Sequence, residues 1–340
     1  MRYFSTILTL LVVPFLVLTG CSKSVSKPTK NREVTVSLNV SGDFDVEVSQ
    51  DPLTRAGGGN DAYAINVYYD KEGDGTTNDL YAYGLFDNVA DMSITLLSNH
   101  KYRVCCSLVK DAKTTLYYGQ AFNNAYSGYC YPFQTSASNS TLVGNQFIIG
   151  TTTYFTGIGT SNSHLAATTS PSTSNYSKYA PGVNRFYGET DGYVPVPNGT
   201  IDVYLKRTVF GAQFVVSGLQ EGTARIQCGE FYDVSFSADA EGPQRLYTFP
   251  GVRDVWQNEL PLVATATVTY TSNRGSLWNI TQTKDIQFKR NVMTTVNVQL
   301  SPDLSGIIFQ LEEEALGDEN DINMGINTDG LIDIIVNPNN

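Results

Sequence analysis

The segment REVTVSLNV, residues 32 to 40, sets Val34, Val36, Leu38 and Val40 against polar neighbours at every second position. A period of two is the mark of a strand that buries one face. Beyond the turn residues Ser41, Gly42 and Asp43 the alternation continues through Phe44, Val46 and Val48, which predicts a short hairpin. DAYAINVYYD, residues 61 to 70, resumes it with Tyr63, Ile65, Val67 and Tyr69 on one face, and MSITLL and HKYRVCCSLV add two more strands. From about residue 118 to 190 the pattern gives way to text rich in Tyr, Gly, Ser and Thr, such as YSGYCYPF and AATTSPSTSNYSKYAPG, which reads as a long loop insertion. Regular strands return with TIDVYLKRTVFGAQFVVSGL, ARIQCGEFYDVSFSA, QRLYTFPG, LVATATVTYTS, SLWNITQTKDIQFKR and MTTVNVQL, separated by turn residues as in a sandwich. Within them RTVFGAQFVV mixes alternation with an apolar run, which places Val209, Phe214 and Val216 in a core. The acidic LEEEALGDENDINMG and a last strand, GLIDIIVNP, close the chain.

This succession predicts an all-β protein of two antiparallel β-sandwich domains in tandem: residues 32–200, carrying the insertion, and residues 201–340. The boundary is expected at VPVPNGT, where two prolines and a glycine interrupt the strands. Composition agrees, because only 16% of residues are charged and there are 21 tyrosines among many Thr, Ser and Val, residues that favour strands and turns.

The first 20 residues are of a different kind. Arg2 precedes the apolar run ILTLLVVPFLVL, which is shorter than the roughly 20 residues of a membrane-spanning helix and suits a signal peptide. It ends in Leu18, Thr19, Gly20 and Cys21, a sequence that resembles a bacterial lipobox. Cys21 is then the lipidated first residue of the mature chain, residues 21–31 a linker from the membrane, and the outer membrane a partner through the anchor. The net charge of −11 argues against a nucleic-acid partner, since no basic stripe could replace phosphate counterions.

Catalytic signals are absent from the sequence: there is no GxSxG, P-loop, HExxH or GxGxxG motif, and two histidines leave little acid–base apparatus. No cofactor is expected. Asp70, Glu72, Asp74 and Gly75 open like a calcium loop, but the twelfth position is Tyr81 where a bidentate glutamate is needed, so a hairpin turn is the reading adopted. Besides Cys21, the cysteines Cys105, Cys106, Cys130 and Cys228 allow three pairings, or serve as buried free thiols. On a strand Cys106 shares a face with Tyr102, Val104 and Leu108, while Cys105 lies with Arg103. Tyr126, Tyr129, Tyr131 and Phe133 could stack on sugars, which keeps a glycan-binding or adhesin lipoprotein as the alternative function.

The order of lipobox, early strand, Arg55 followed by Ala56 and three glycines, and then FYGETDGYVPVPNGTIDVYLKRTVFGAQFVV resembles the fimbrillin family of Bacteroidetes, type V pilins and related surface lipoproteins. Leu205, Lys206, Arg207, Thr208 and Val209 resemble the segment that opens the family's second domain, and FKRNVMTTVNVQL its closing strand pair. The resemblance implies a non-enzymatic fimbrial subunit whose partners are other fimbrial subunits and, for adhesive members, a host or bacterial surface receptor. It also implies cleavage after Arg55, loss of the strand holding Val34, Val36, Leu38 and Val40, and refilling of the groove by another subunit's strand. The donor expected here is LIDIIVNP, with Ile332, Ile334 and Val336 on one face; the same residues read equally well as the last strand of the second sandwich.

Overall fold

The computed structural model describes residues 32–42, 61–112, 133, 135–136, 143–156, 158, 182–274, 279–301 and 306–316, and the backbone of 324–326 and 332–334. The strands of its first half are β1 (Glu33–Gly42), β2 (Ala62–Tyr69), β3 (Asp79–Phe86), β4 (Ser93–Leu97), β5 (Tyr102–Val109), β6 (Phe147–Ile149), β7 (Arg185–Tyr193) and β8 (Thr200–Arg207). They are joined in the order β4-β1-β8-β7-β5-β2-β3-β6. The path bends between β7 and β8, which pair only through Phe186 with Arg207 and Tyr187 with Lys206. Gly188 makes the bend feasible: a Cβ on it would stand 2.1 Å from the Tyr204 carbonyl oxygen, so only a residue without a side chain lets β8 cross there. The inward side chains of β4, β1 and β8 share one buried cluster with those of β2, β3 and β5, as in two sheets packed face to face.

The second half comprises β9 (Val209–Ser217), β10 (Thr223–Cys228), β11 (Tyr232–Phe236), β12 (Ala240–Glu241), β13 (Arg245–Thr248), the helix α1 (Val252–Asn258), β14 (Leu262–Thr271), β15 (Ile280–Phe288), β16 (Val292–Leu300), β17 (Ile307–Ala315), β18 (Met324–Ile326) and β19 (Ile332–Ile334). A four-stranded sheet β11-β10-β14-β15 accompanies a second sheet, β12-β9-β16-β17-β18-β19, in which β13 also pairs β9. Phe210, Phe214, Phe231, Tyr232 and Phe288 dominate the cluster they share. Val209, Phe214 and Val216 are buried as the apolar run of β9 predicts. The chain is thus nearly all β, and among the described residues antiparallel pairing is interrupted at two places: β1 runs parallel to β8, and β9 parallel to β16. The cluster of the first half ends at Leu205 and that of the second begins at Phe210.

Three expectations need correction. The stretch 118–190 is not all loop. Its described residues supply β6, most of β7, and the buried Phe133, Phe155, Ile158 and Val183, which with Val252 of α1 cover the outer faces of β2 and β5. Strand β3 follows the Asp- and Gly-rich turn directly, where its alternation is blurred because strands covered on both sides bury side chains of both parities. Part of the acidic segment, Leu311 to Ala315, is the end of strand β17. The hairpin expected through Phe44, Val46 and Val48, and the acidic residues 317–323, lie outside the described residues.

Candidate strand-exchange site

Strand β1 is the middle strand of its layer. Glu33 to Ser37 pair antiparallel with Leu97 to Ser93 of β4, and Ser37 to Gly42 pair parallel with Thr200 to Leu205 of β8. Its alternation puts Val34, Val36, Leu38 and Val40 into the core, with Val36 only 1% exposed, opposite Ile94 and Leu96 on one side and Ile201, Val203 and Leu205 on the other. Beneath them lies the aromatic floor of the sandwich, where Tyr69, Tyr81 and Tyr102 pack on one another at centroid distances of 5.2 to 6.1 Å. Burial raises the Tyr102 phenol, whose oxygen accepts the Leu97 N–H at 2.8 Å. Burial first, and then the Glu33 carboxylate of β1, raises Tyr81, which donates to the Thr95 carbonyl at 2.8 Å.

On the outer face, Asn39 donates its amide to Asp202 at 2.8 Å, and the hydroxyls of Thr35 and Thr95 stand 3.4 Å apart. Gly42 ends β1 at a φ of +150°, and a Cβ there would lie 2.0 Å from the Leu205 carbonyl oxygen. A side chain at 42 would therefore push β1 off β8 at the point where their ladder ends. Taken out, β1 would leave both the β4 and β8 edges without their hydrogen-bond partners and a trough of apolar side chains open between them.

The segment Leu205 to Val209 leads from β8 into β9. Lys206 and Arg290 both reach Glu259, at 2.9 and 3.4 Å, and hold its carboxyl below the ordinary range, Lys206 having the larger effect. Arg207 lies 5.1 Å over the Phe186 ring, donates to Asn291 at 2.9 Å, and bonds the carbonyl of Leu316. Lys206, Arg207 and Arg290 thus tie β8, α1 and the loop between β15 and β16 together, while Lys289 pairs with Glu313 of β17. Nearby, Arg253 of α1 meets the nearly buried Glu189 of β7 at 2.6 Å, and Trp256 packs edge-on against Tyr187 at 5.8 Å. Local periodicity carried no sign of this helix, because only Val252 and Val255 of its seven residues are buried.

Ile332 and Ile334 belong to β19, which pairs with β18, itself paired with β17. They therefore occupy the outermost strand of the second half's larger sheet, the position of a last strand, and among the described residues nothing pairs with their outer side. Cys21, Arg55, Ala56 and Val336 lie outside the described residues, as do Tyr126, Tyr129, Tyr131 and Cys130. Phe133 is buried against Phe155, with centroids 6.2 Å apart, so it is a core residue and not a sugar-stacking ring. Cys105, Cys106 and Cys228 are buried free thiols, and Cys105 and Cys106 point to opposite sides of β5 as expected. In the Asp- and Gly-rich turn Asp74 accepts from Thr76, while Asp70 is buried and accepts the Lys101 N–H at 2.7 Å. Among the described residues no group of three or more His, Cys, Asp or Glu could hold a metal ion, and no helix is long and apolar enough to cross a membrane.

No protein-family model and no curated protein matches the chain. Solved structures similar to it include a fimbrial assembly protein from Parabacteroides distasonis, with 14% identity, a TM-score of 0.31, and 86% of this chain and 98% of that one covered. The fimbrial anchor protein Mfa2 from Porphyromonas gingivalis has 12% identity and a TM-score of 0.33 over 84% of this chain and 98% of its own. The tip fimbrial protein Mfa3 from the same organism, with a C-terminal truncation, has 8% identity and a TM-score of 0.31 over 83% and 99%. Similarity at this level assigns no function to the chain.

Proposed function

We propose that this protein is a surface subunit of a bacterial fimbria, exported as a lipoprotein acylated on Cys21, built of two sandwich domains in tandem, and assembled by β-strand addition between subunits. One observation carries the reading. Strand β1 fills the middle of its layer and supplies four core side chains, yet in sequence it is separated from β2 by the segment that contains Arg55. A cut after Arg55 would leave β1 held by non-covalent contacts alone. Each of its four inward side chains contributes about 1.5 kcal/mol or more by burial, so an emptied trough is a strong acceptor for a strand of the same alternation. The C-terminal residues Ile332, Ile334 and Val336 repeat that alternation and act as the donor, released from the sheet edge of one subunit to fill the trough of another.

The test is limited trypsin digestion of the full-length acylated protein, followed by N-terminal sequencing and electrophoresis in sodium dodecyl sulfate without boiling. The expected result is a new N-terminus at Ala56, loss of the fragment containing β1, and a ladder of oligomers. Arg55→Ala or deletion of residues 331–340 should abolish the ladder. A protein that is cut after Arg55 but stays monomeric with β1 still bound would end the strand-addition reading.

A further inference from the structure

An open cleft of about 560 Å³ lies beside the turn between β2 and β3, lined among others by Tyr68, Tyr69, Asn78, Asp79, Thr152 and Tyr154. Its size falls within the range of about 300–1,000 Å³ usual for small-molecule sites. The geometry points to a carbohydrate-binding site in this cleft, which takes a neutral oligosaccharide.

Two features separate the cleft from an ordinary surface hollow. The first is that the backbone carrying Tyr154 and the ring of Tyr68 are held in place. Tyr154, 39% exposed, stands on a loop that is locked from below: Asn66, fully buried in β2, accepts the Phe155 N–H at 2.9 Å and donates to the Phe155 carbonyl at 3.0 Å. One buried amide thus takes both backbone groups of the residue after Tyr154. Ser136 adds two bonds, from its N–H to the Tyr154 carbonyl at 2.9 Å and from the Tyr154 N–H to its hydroxyl at 3.3 Å. Thr151 closes the loop by accepting the Thr153 N–H at 2.9 Å. Tyr68 is steadied by the Arg103 guanidinium, 4.4 Å over its ring, and by the Asn66 amide, which donates to its phenol oxygen at 3.3 Å. The ring of Tyr69 belongs to the core floor under β1, against Tyr81 and His100, so the rings offered to a ligand are those of Tyr68 and Tyr154.

The second feature is chemical. Asn78 and Asp79 are exposed at the mouth, and Thr152 is exposed on the opposing loop. A planar amide, a carboxylate and a hydroxyl beside the phenol rings supply both halves of sugar recognition: hydrogen bonds for the hydroxyls and aromatic faces for the C–H side of the ring. A ring on a backbone that is already ordered loses less entropy when a ligand stacks on it. Lys71 and Asp79 line the cleft together and leave it without net charge, which suits a neutral sugar. The cleft lies on the β2–β3 side of the first half and uses no residue of β1, so the inference does not depend on strand addition.

Isothermal titration calorimetry of the full-length chain in detergent tests it, with neutral hexasaccharides of glucose, xylose, mannose and N-acetylglucosamine, and with hexagalacturonate as the anionic arm. At least one neutral oligosaccharide is expected to bind and hexagalacturonate not to. Tyr154→Ala should weaken binding by about tenfold, the effect of one stacked ring. Asp79→Ala should weaken it as well, and Tyr204→Ala, which removes a ring 54% exposed on β8, should leave it unchanged. Since Tyr154 and Asp79 are exposed, melting curves of their variants should overlay the parent and separate lost binding from lost fold. No binding by any neutral member at millimolar concentration, or binding that survives Tyr154→Ala, overturns the proposal.

Discussion

Glu189 collects more polar contacts than its neighbours on β7. Its side chain is 5% exposed and accepts from Tyr187 at 2.7 Å and from Arg253 at 2.6 and 3.0 Å, with Arg103 at 4.0 Å and the Cys105 thiol at 3.6 Å. Replacing it removes the acceptor that several donors share. Glu189→Ala is expected to cost about 2–3 kcal/mol in denaturant unfolding, because it strands the fully buried Tyr187 hydroxyl without its acceptor. Arg253→Ala should cost only about 1 kcal/mol, since Arg253 is 42% exposed and water screens what it contributes. Equal costs would mean that Glu189 is a surface pair and not the hub of the network. The thiols give a second residue-scale expectation. Burial raises Cys105 to about 11 and Cys228 to about 12, and raises Cys106 as well. At pH 8 iodoacetamide should therefore spare all three in the folded protein and modify them after unfolding, as peptide mass mapping would show. The sequence could not decide between thiols and bridges, because the spacing of four cysteines does not fix which of them meet in space.

At the scale of the element, β1 was the most legible piece of the chain and β7 among the least. Val34, Val36, Leu38 and Val40 face a core on one side and exposed positions on the other, so the period of two survives intact. In β7 the residues Arg185, Phe186, Tyr187 and Gly188 are all buried, the arginine beneath the sheet with its guanidinium bonded to Ser107 at 2.8 Å and the Ile158 carbonyl at 2.9 Å. No binary pattern announces such a strand. The four trough residues of the candidate site were thus readable from sequence, but not the partners β4 and β8, about 60 and 163 residues away, because register between distant strands leaves no local trace. The cleft beside Tyr154 was hidden for the same reason: it joins the β2–β3 turn to a loop some 75 residues later. Leu38→Ala is expected to lower stability by about 2–5 kcal/mol, through lost burial and the cavity left in a trough with little freedom to collapse. If strand addition operates, the same variant should also polymerise sooner after cleavage, since a weaker β1 leaves faster. A ladder that forms at the parental rate would show that loss of β1 does not limit assembly.

For the whole molecule, the buried phenols and thiols act in one direction, while desolvation of the fully buried Arg185, which lowers its guanidinium to about 9, acts in the other. Tyr68 and Tyr232 rise from 10.0 to about 12, Cys105 from 9.0 to about 11 and Cys228 from 9.0 to about 12, in each case with burial as the largest cause. All four are neutral when protonated, so the fold prefers them protonated and the unfolded chain releases their protons first. Between the unfolded and folded values of these four groups the unfolded state carries fewer of their protons, so their share of the stability falls as pH rises, whereas Arg185, protonated above about pH 9 in the unfolded chain but not in the folded one, offsets part of that fall. Below about pH 9 the four groups are protonated in both states and contribute no slope. The loss should begin with the thiols near pH 9, steepen near pH 10 when the tyrosines of the unfolded chain ionise, and level off only above about pH 12, where the folded groups titrate too. A tenfold difference in proton affinity between the two states is worth about 1.4 kcal/mol. The four groups lie in two core clusters and at the rim of the cleft, so the loss is spread over both halves of the chain. Urea midpoints measured from pH 7 to pH 11 should stay level to about pH 9 and then drop, and Cys228→Ala should delay the drop. A Cys228→Ala profile that falls at the same pH as the parent's would mean that this thiol reaches solvent in the folded protein, against its burial in the core of the second half.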